Sequence, residues 1–232
     1  MVGGGSTRDR MWLVAIATAM WGTDALWRMP LATSLPSGSV VFWEHTIIVA
    51  LLLPFLPRAL RALAQCGKKE IAAIVVIGVG SSALATTLFT MAFQAGDPVT
   101  PLVLQKLQPV FAAIASLVLL GEQLRGRYFL FALPALAGSW LLAFPNPLGV
   151  EVNQLAPALF AIGAAVLWAS GTVLGRLVSR RMPARDVTTL RFAIGLPAAA
   201  VFLLVQGDPV AVGWSNAPGL LLLALIPGLI AL

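Results

Sequence analysis

Asp24, Arg28, Glu44, His45 and Lys106 are the residues of this 232-residue sequence best placed to do chemistry, because each lies within or at the edge of a long apolar stretch. An ionisable side chain among apolar neighbours is costly, and it normally faces a cavity or a partner. Lys106 is suited to hold a substrate carboxylate, with Gln105 and Gln108 supplying hydrogen bonds and Trp21 an aromatic face. Glu44, with His45, is suited to release and rebind a proton. Asp24 and Arg28 stand four apart with the acid first, the favourable order for a helical ion pair. Ala17, Trp21, Asp24 and Arg28 share one helical face, as do Gln105, Pro109, Ala112 and Ser116. Gly78, Ser81, Ser82, Ala85 and Phe89 form a stripe of mostly small residues fit for a cavity wall.

Each residue also has a purely structural reading. Glu44 or Asp24 would neutralise Lys106 and lock two helices together. Arg28 would reach the outer interface on its apolar stem. Trp21 would pack between helices, and His45 would be a hydrogen-bonded helix residue near the interface.

The elements that must position these groups are membrane spans. The chain is 59% hydrophobic and 10% charged, against roughly 25% charged in a soluble domain. Crossing hydrocarbon takes about 20 apolar residues in a helix, since lipid offers the backbone no hydrogen-bond partner. Eight apolar segments meet this description: 11–29, 40–56, 71–93, 101–120, 128–144, 155–175, 187–205 and one from 217 onward. Residues 58–69 read as a basic linker and Gly96-Asp97-Pro98 as a turn. Pro109, Pro134, Pro197 and Pro227 fall inside spans, where they mark kinks.

Basic residues set the orientation. Twelve of the fifteen lie in the 1–10 tail, in 58–69, around Arg125 and Arg127, and between Arg176 and Arg185. The alternate loops carry Asp97, Glu151 and Asp208 and no basic residue. This predicts a multi-pass protein of the cell (inner or plasma) membrane with a cytoplasmic N-terminus. The net charge of +6 is spread over short loops, so nucleic acid is not an expected partner. The expected partners are a small-molecule substrate and the lipid bilayer, with a homodimer as the protein assembly to test.

An offset of 147 residues pairs Trp21 with Trp168, Pro36 with Pro183, Val40 with Val187, and Phe55-Leu56 with Phe202-Leu203. Under it the second span maps onto the seventh and the third onto the eighth. A repeat of five helices is odd in number, so its second copy enters from the opposite face, as in secondary transporters. Enzyme chemistry fits poorly. One His and one Cys supply neither a metal ligand set nor a nucleophile with its base, and no phosphate loop is present. No metal or cofactor is expected. The competing readings are a passive channel or a non-transporting membrane scaffold.

The pair Trp21-Gly22, the matching Trp168, and the stretch Gln105-Lys106-Leu107-Gln108-Pro109-Val110-Phe111-Ala112 closing on Gly121-Glu122 resemble the EamA branch of the drug/metabolite transporter superfamily. The resemblance runs over the chain from Met11. It implies an all-α integral membrane fold of ten helices in two inverted five-helix repeats, about eight of them present here. It also implies export or uptake of a small organic metabolite, often an amino acid, without ATP hydrolysis. Many members resembling this chain carry a basic residue early in the second helix, where Glu44-His45 stand; the seventh helix keeps the basic type as Arg191. The organisation expected is a cytoplasmic tail at 1–10, a first repeat at 11–146 and an incomplete second at 155–232. The offset places Leu232 on Ala85, within the third span. This reading therefore expects a C-terminally truncated chain, roughly sixty residues short of a protein of about 290.

Overall fold

A computed structural model describes residues 11–95, 98–123, 126–144, 146 and 152–230. The 1–10 tail, the Gly96-Asp97 part of the predicted turn, Arg125, Glu151 and Leu232 lie outside the described residues. The described chain is helical, with no strand among these residues. The helices are α1 (Met11–Gly22), α2 (Asp24–Ser34), α3 (Ser37–Leu52), α4 (Leu56–Ala64), α5 (Lys68–Val76), α6 (Ala85–Ala95), α7 (Val99–Gln105), α8 (Gln108–Leu120), α9 (Arg127–Ala143), α10 (Val152–Val178), α11 (Ala184–Gln206) and α12 (Ala217–Leu225). Several run on through tightened or widened turns. A 3-10 turn at Leu53–Phe55 joins α3 to α4, and π-helical stretches at Ile77–Leu84 and Ile226–Ile230 follow α5 and α12.

Four of these runs are long and apolar enough to cross a membrane: Ser37–Ala64, Lys68–Ala95, Leu155–Val178 and Ala184–Gln206. A fifth is the pair α7–α8, bent by 40°. The segments Arg127–Ala143 and Trp214–Ile230 are apolar but shorter. At 1.5 Å per residue, the 28 residues of Ser37–Ala64 extend about 42 Å, beyond a hydrocarbon core of about 30 Å. Most of the linker expected at 58–69 is thus helix. Pro57 stands in the first turn of α4, where a missing N–H costs nothing, and Ala, Leu and Arg sustain the helix to Ala64.

Two breaks shape the interior. At Gly22-Thr23 the Thr23 hydroxyl donates to the Met20 carbonyl (2.6 Å) and the Thr23 N–H bonds the same oxygen, so the predicted first span is two helices. At Lys106-Leu107 both N–H groups bond three residues back, and Pro109 has no N–H to return to the Gln105 carbonyl. Gly121 ends α8 in the left-handed region (φ 67°), and the Glu122 N–H closes on the Ser116 carbonyl.

Alanine and glycine let the helices approach closely. Ala32, Ala85, Ala164, Phe89 and Phe93 form one buried cluster; Ala92, Ala158, Ala161 and Leu104 belong to another. Leu31, Leu35, Val40, Leu220 and Leu223 pack at one end of the molecule, while Ile74, Ile77, Val178, Met182 and Val187 lie in a separate cluster. A Cβ on Gly171 would overlap the Ser81 hydroxyl, so α10 seats directly on the first π-helical stretch.

Candidate functional site

A cavity of ≈520 Å³ lies among α1, α2, α3, α6, α7, α8, α10, α11 and the two π-helical stretches. Its floor is a charge cluster built on Arg28, which is 2% exposed. Arg28 Nε and Nη2 donate to the two Asp24 carboxylate oxygens, both at 2.8 Å. Nη1 and Nη2 donate to Oε2 and Oε1 of Glu44, both at 3.1 Å, and Nη1 also donates to the Thr90 hydroxyl at 3.0 Å. A guanidinium has five N–H groups in a planar fork, and here every one is used. The Asp24 contact follows from helical spacing. The Glu44 contact follows from the hairpin that returns α3 antiparallel to α2 after the extended Pro36.

Beside this cluster runs a second one. His45 Nδ1 lies 2.9 Å from the Val41 carbonyl, an acceptor only, so the proton of the neutral ring sits on Nδ1. His45 Nε2 then accepts from the Ser82 hydroxyl at 3.0 Å, and Ser82 Oγ accepts from Arg191 Nε at 3.3 Å. The chain of donors therefore runs from Arg191 through Ser82 and His45 to Val41. The Arg191 guanidinium carbon lies 5.2 Å from the Phe192 ring centroid, and Phe192 meets the His45 ring edge-on. The close fit depends on Gly195, where a Cβ would come within 2.9 Å of the His45 ring.

The aromatic wall is Trp21 and Trp168, in T-shaped contact at 6.2 Å, backed by Phe89 at 5.0 Å from Trp168. Trp21 remains 40% exposed and lines the cavity.

Of the residues singled out by sequence, Trp21, Asp24, Glu44, His45, Gln105 and Gln108 line this cavity, together with Ala17 and Arg28. Lys106 does not. It lies at the α7–α8 break, exposed, against a neighbouring cavity shared with Trp21, Gln105, Gln108, Pro109, Ala112 and Thr172. The partner of Glu44 and Asp24 is thus Arg28, not Lys106. Arg28 does not reach the interface, because two carboxylates hold it within the protein. His45, expected near the interface, is 1% exposed. In the stripe of small residues only Ser81 faces the cavity. Gly78 closes on Ile194 and the Arg191 carbonyl, and Ala85 and Phe89 are core.

Arg28 and Arg191 are the site residues that the sequence reading undervalued. A signal existed for Arg28: with Asp24 already four residues away, Glu44 completes a fork that accepts two carboxylates. Among the described residues, no three His, Cys, Asp or Glu side chains gather as a metal site.

An all-helical molecule with several apolar spans around a cavity of buried charge is a multi-pass membrane protein. The chain belongs to the EamA-like transporter family, whose profile matches residues 10–144 and 155–232. A curated relative, the riboflavin transporter ImpX of Fusobacterium nucleatum subsp. nucleatum, is 30% identical over 202 residues. That match covers 83% of this chain and 66% of the relative, so the chain spans just under two thirds of the relative's length. A solved crystal structure has the same fold with a TM-score of 0.68 and 24% identity, covering 97% of this chain and 77% of the other.

Proposed function

We propose that the protein is a secondary transporter that moves a small organic metabolite across the cell membrane by alternating access between two inverted five-helix repeats. The observation that carries this reading is the meeting of equivalent positions around one cavity. Trp21 and Trp168 are 147 residues apart and touch; Glu44 and Arg191 are also 147 apart and line the same cavity. That is the arrangement expected where two inverted repeats face each other across a pseudo-two-fold axis.

Further equivalences support it. α3 and α11 begin at Ser37 and Ala184, each after an extended proline, Pro36 and Pro183, with ψ of 152° and 143°. The cluster residues Leu31, Leu35, Val40 and Leu220 correspond under the same offset to Val178, Met182, Val187 and Ala73, which pack together in their own cluster. The π-helical stretch Ile226–Ile230 falls within the range equivalent to Ile77–Leu84. The broken α1–α2 pair and the two shorter apolar segments complete eight spans. The placement of the basic residues gives the N-terminus a cytoplasmic position.

The cavity volume suits a metabolite, within the roughly 300–1,000 Å³ of small-molecule sites. The relative named as a riboflavin transporter supports a flavin-like substrate, and the family resemblance an amino-acid-like one. Gln105, Gln108 and Trp21 contact it, Lys106 lines its path at the α7–α8 break, and Glu44 with Asp24 and His45 forms the coupling end.

The test is flux into proteoliposomes, with riboflavin and an amino-acid panel as probes. Saturable uptake that responds to a pH gradient, and loses that response in Glu44→Gln, is the expected result. Linear, non-saturating flux would favour the passive channel.

A further inference from the structure

We infer that Arg191 is the residue that grips the substrate, through the open outer edge of its guanidinium. The substrate class is then an apolar or aromatic body bearing an oxygen-acceptor edge, either a carboxylate or the carbonyls of a ring imide. This rests on the transporter reading and names the ligand chemistry of the same cavity.

Three cations border the interior, and the structure distinguishes them. Arg28 is spent: all five of its N–H groups donate to Asp24, Glu44 and Thr90, so a substrate anion would have to displace a carboxylate to reach it. Lys106 belongs to the neighbouring cavity, away from the buried floor. Arg191 lines the main cavity and donates one hydrogen bond, from Nε to the Ser82 hydroxyl. Its terminal nitrogens Nη1 and Nη2 have no hydrogen-bond partner among the described residues, and neither is a fully buried orphan. The residue is half-buried and lines the cavity.

The charge pattern gives the reason. Glu44 and Arg191 hold equivalent positions in the two halves of the chain, one acidic and one basic. Glu44 is captured within its own half by Arg28 at 3.1 Å, while Arg191 forms no ion pair among the described residues. What remains is a planar fork held at one end by Ser82 and Phe192, on a residue that lines the cavity and whose two terminal nitrogens have no hydrogen-bond partner among the described residues. A fork of this kind recognises two oxygens side by side far better than a point charge does. Trp21 and Trp168, which both line the cavity, offer an aromatic surface for the body of the ligand.

The experiment is equilibrium binding to the purified full chain in detergent, with riboflavin (ring imide) and indole-3-carboxylate (carboxylate) as probes and indole-3-methanol as the carbinol control. Wild type should bind at least one acceptor-bearing probe and prefer it to the carbinol. Riboflavin alone would assign the imide, and indole-3-carboxylate alone the carboxylate. Arg191→Gln should weaken that binding about tenfold or more, the scale of a lost charge-assisted contact. Arg191→Lys, which keeps the charge without the fork, should lose less. Lys69→Gln, on the exposed start of α5, should leave affinity within about twofold. Thermal midpoints without ligand separate a binding loss from a folding loss, and Arg191→Lys carries the test if Arg191→Gln does not fold. Equal binding by wild type and both Arg191 variants would overturn the assignment, as would loss confined to Lys106→Gln. Binding of no probe, in a protein that still transports other solutes, would overturn the ligand class and leave the transporter reading standing. Absence of transport for every solute would instead overturn the transporter reading.

Discussion

Arg28 satisfies two carboxylates and a hydroxyl at once, so each partner is held by a group with no spare donor. Removing one partner of a buried charge pair strands the other, at a cost of about 3–5 kcal/mol. Arg28→Ala, which leaves both Asp24 and Glu44 without their cation, should therefore lower unfolding stability in detergent by about that amount, measured by chemical denaturation. Glu44→Gln keeps an acceptor for Arg28 and should cost clearly less. An Arg28→Ala protein as stable as wild type would mean that the cluster is not the anchor of the α2–α3 hairpin. The Asp24–Arg28 half of this cluster was legible from a spacing of four. The Glu44 half was not, because sixteen residues and a chain reversal at Pro36 intervene, and depth estimated along separate spans made Lys106 look equally near. Arg191 was undervalued for a related reason. One turn into its helix it reads as an interfacial residue, and only the hydrogen bond to Ser82 reveals that it turns inward.

At the scale of elements, irregular helix is concentrated around the cavity. Ile77 and Ser81 of one π-helical stretch, and Pro227 and Gly228 of the other, line it, as do Gln105 and Gln108 on either side of the α7–α8 break. Irregular backbone at membrane depth is tolerated where it faces a cavity, since its freed carbonyls then find partners there. Pro109 is the cause of the break, and replacing it tests whether the bend is used. Pro109→Ala should let α7 and α8 run straighter, change stability by about 1 kcal/mol or less, and reduce uptake several-fold. Uptake equal to wild type would make the bend a packing feature only. The apolar periodicity and the prolines made the helices and this break readable in advance. The π-helical stretches left no comparable signature, because widening one turn needs no particular residue. The helix through Leu56–Ala64 reads as linker because its arginines outweigh the absence of any Gly or Pro from Arg58 to Cys66.

For the whole molecule, the offset of 147 residues organises what the local readings leave separate. It relates the two tryptophans that meet, the two proline-led helices that pack antiparallel, and the opposed charges Glu44 and Arg191 within one cavity. Under the proposed inverted repeat, weak identity in sequence is expected, because inverted halves need to agree in shape, not in residue type. A carrier built this way exposes its site to one side at a time, whereas a channel exposes it to both. Counterflow distinguishes the two most directly: proteoliposomes of the full chain, preloaded with unlabelled substrate, are diluted into a trace of labelled substrate. The account predicts that label accumulates transiently above its equilibrium level and then decays. Label that only rises to equilibrium, at a rate indifferent to the preload, would contradict it.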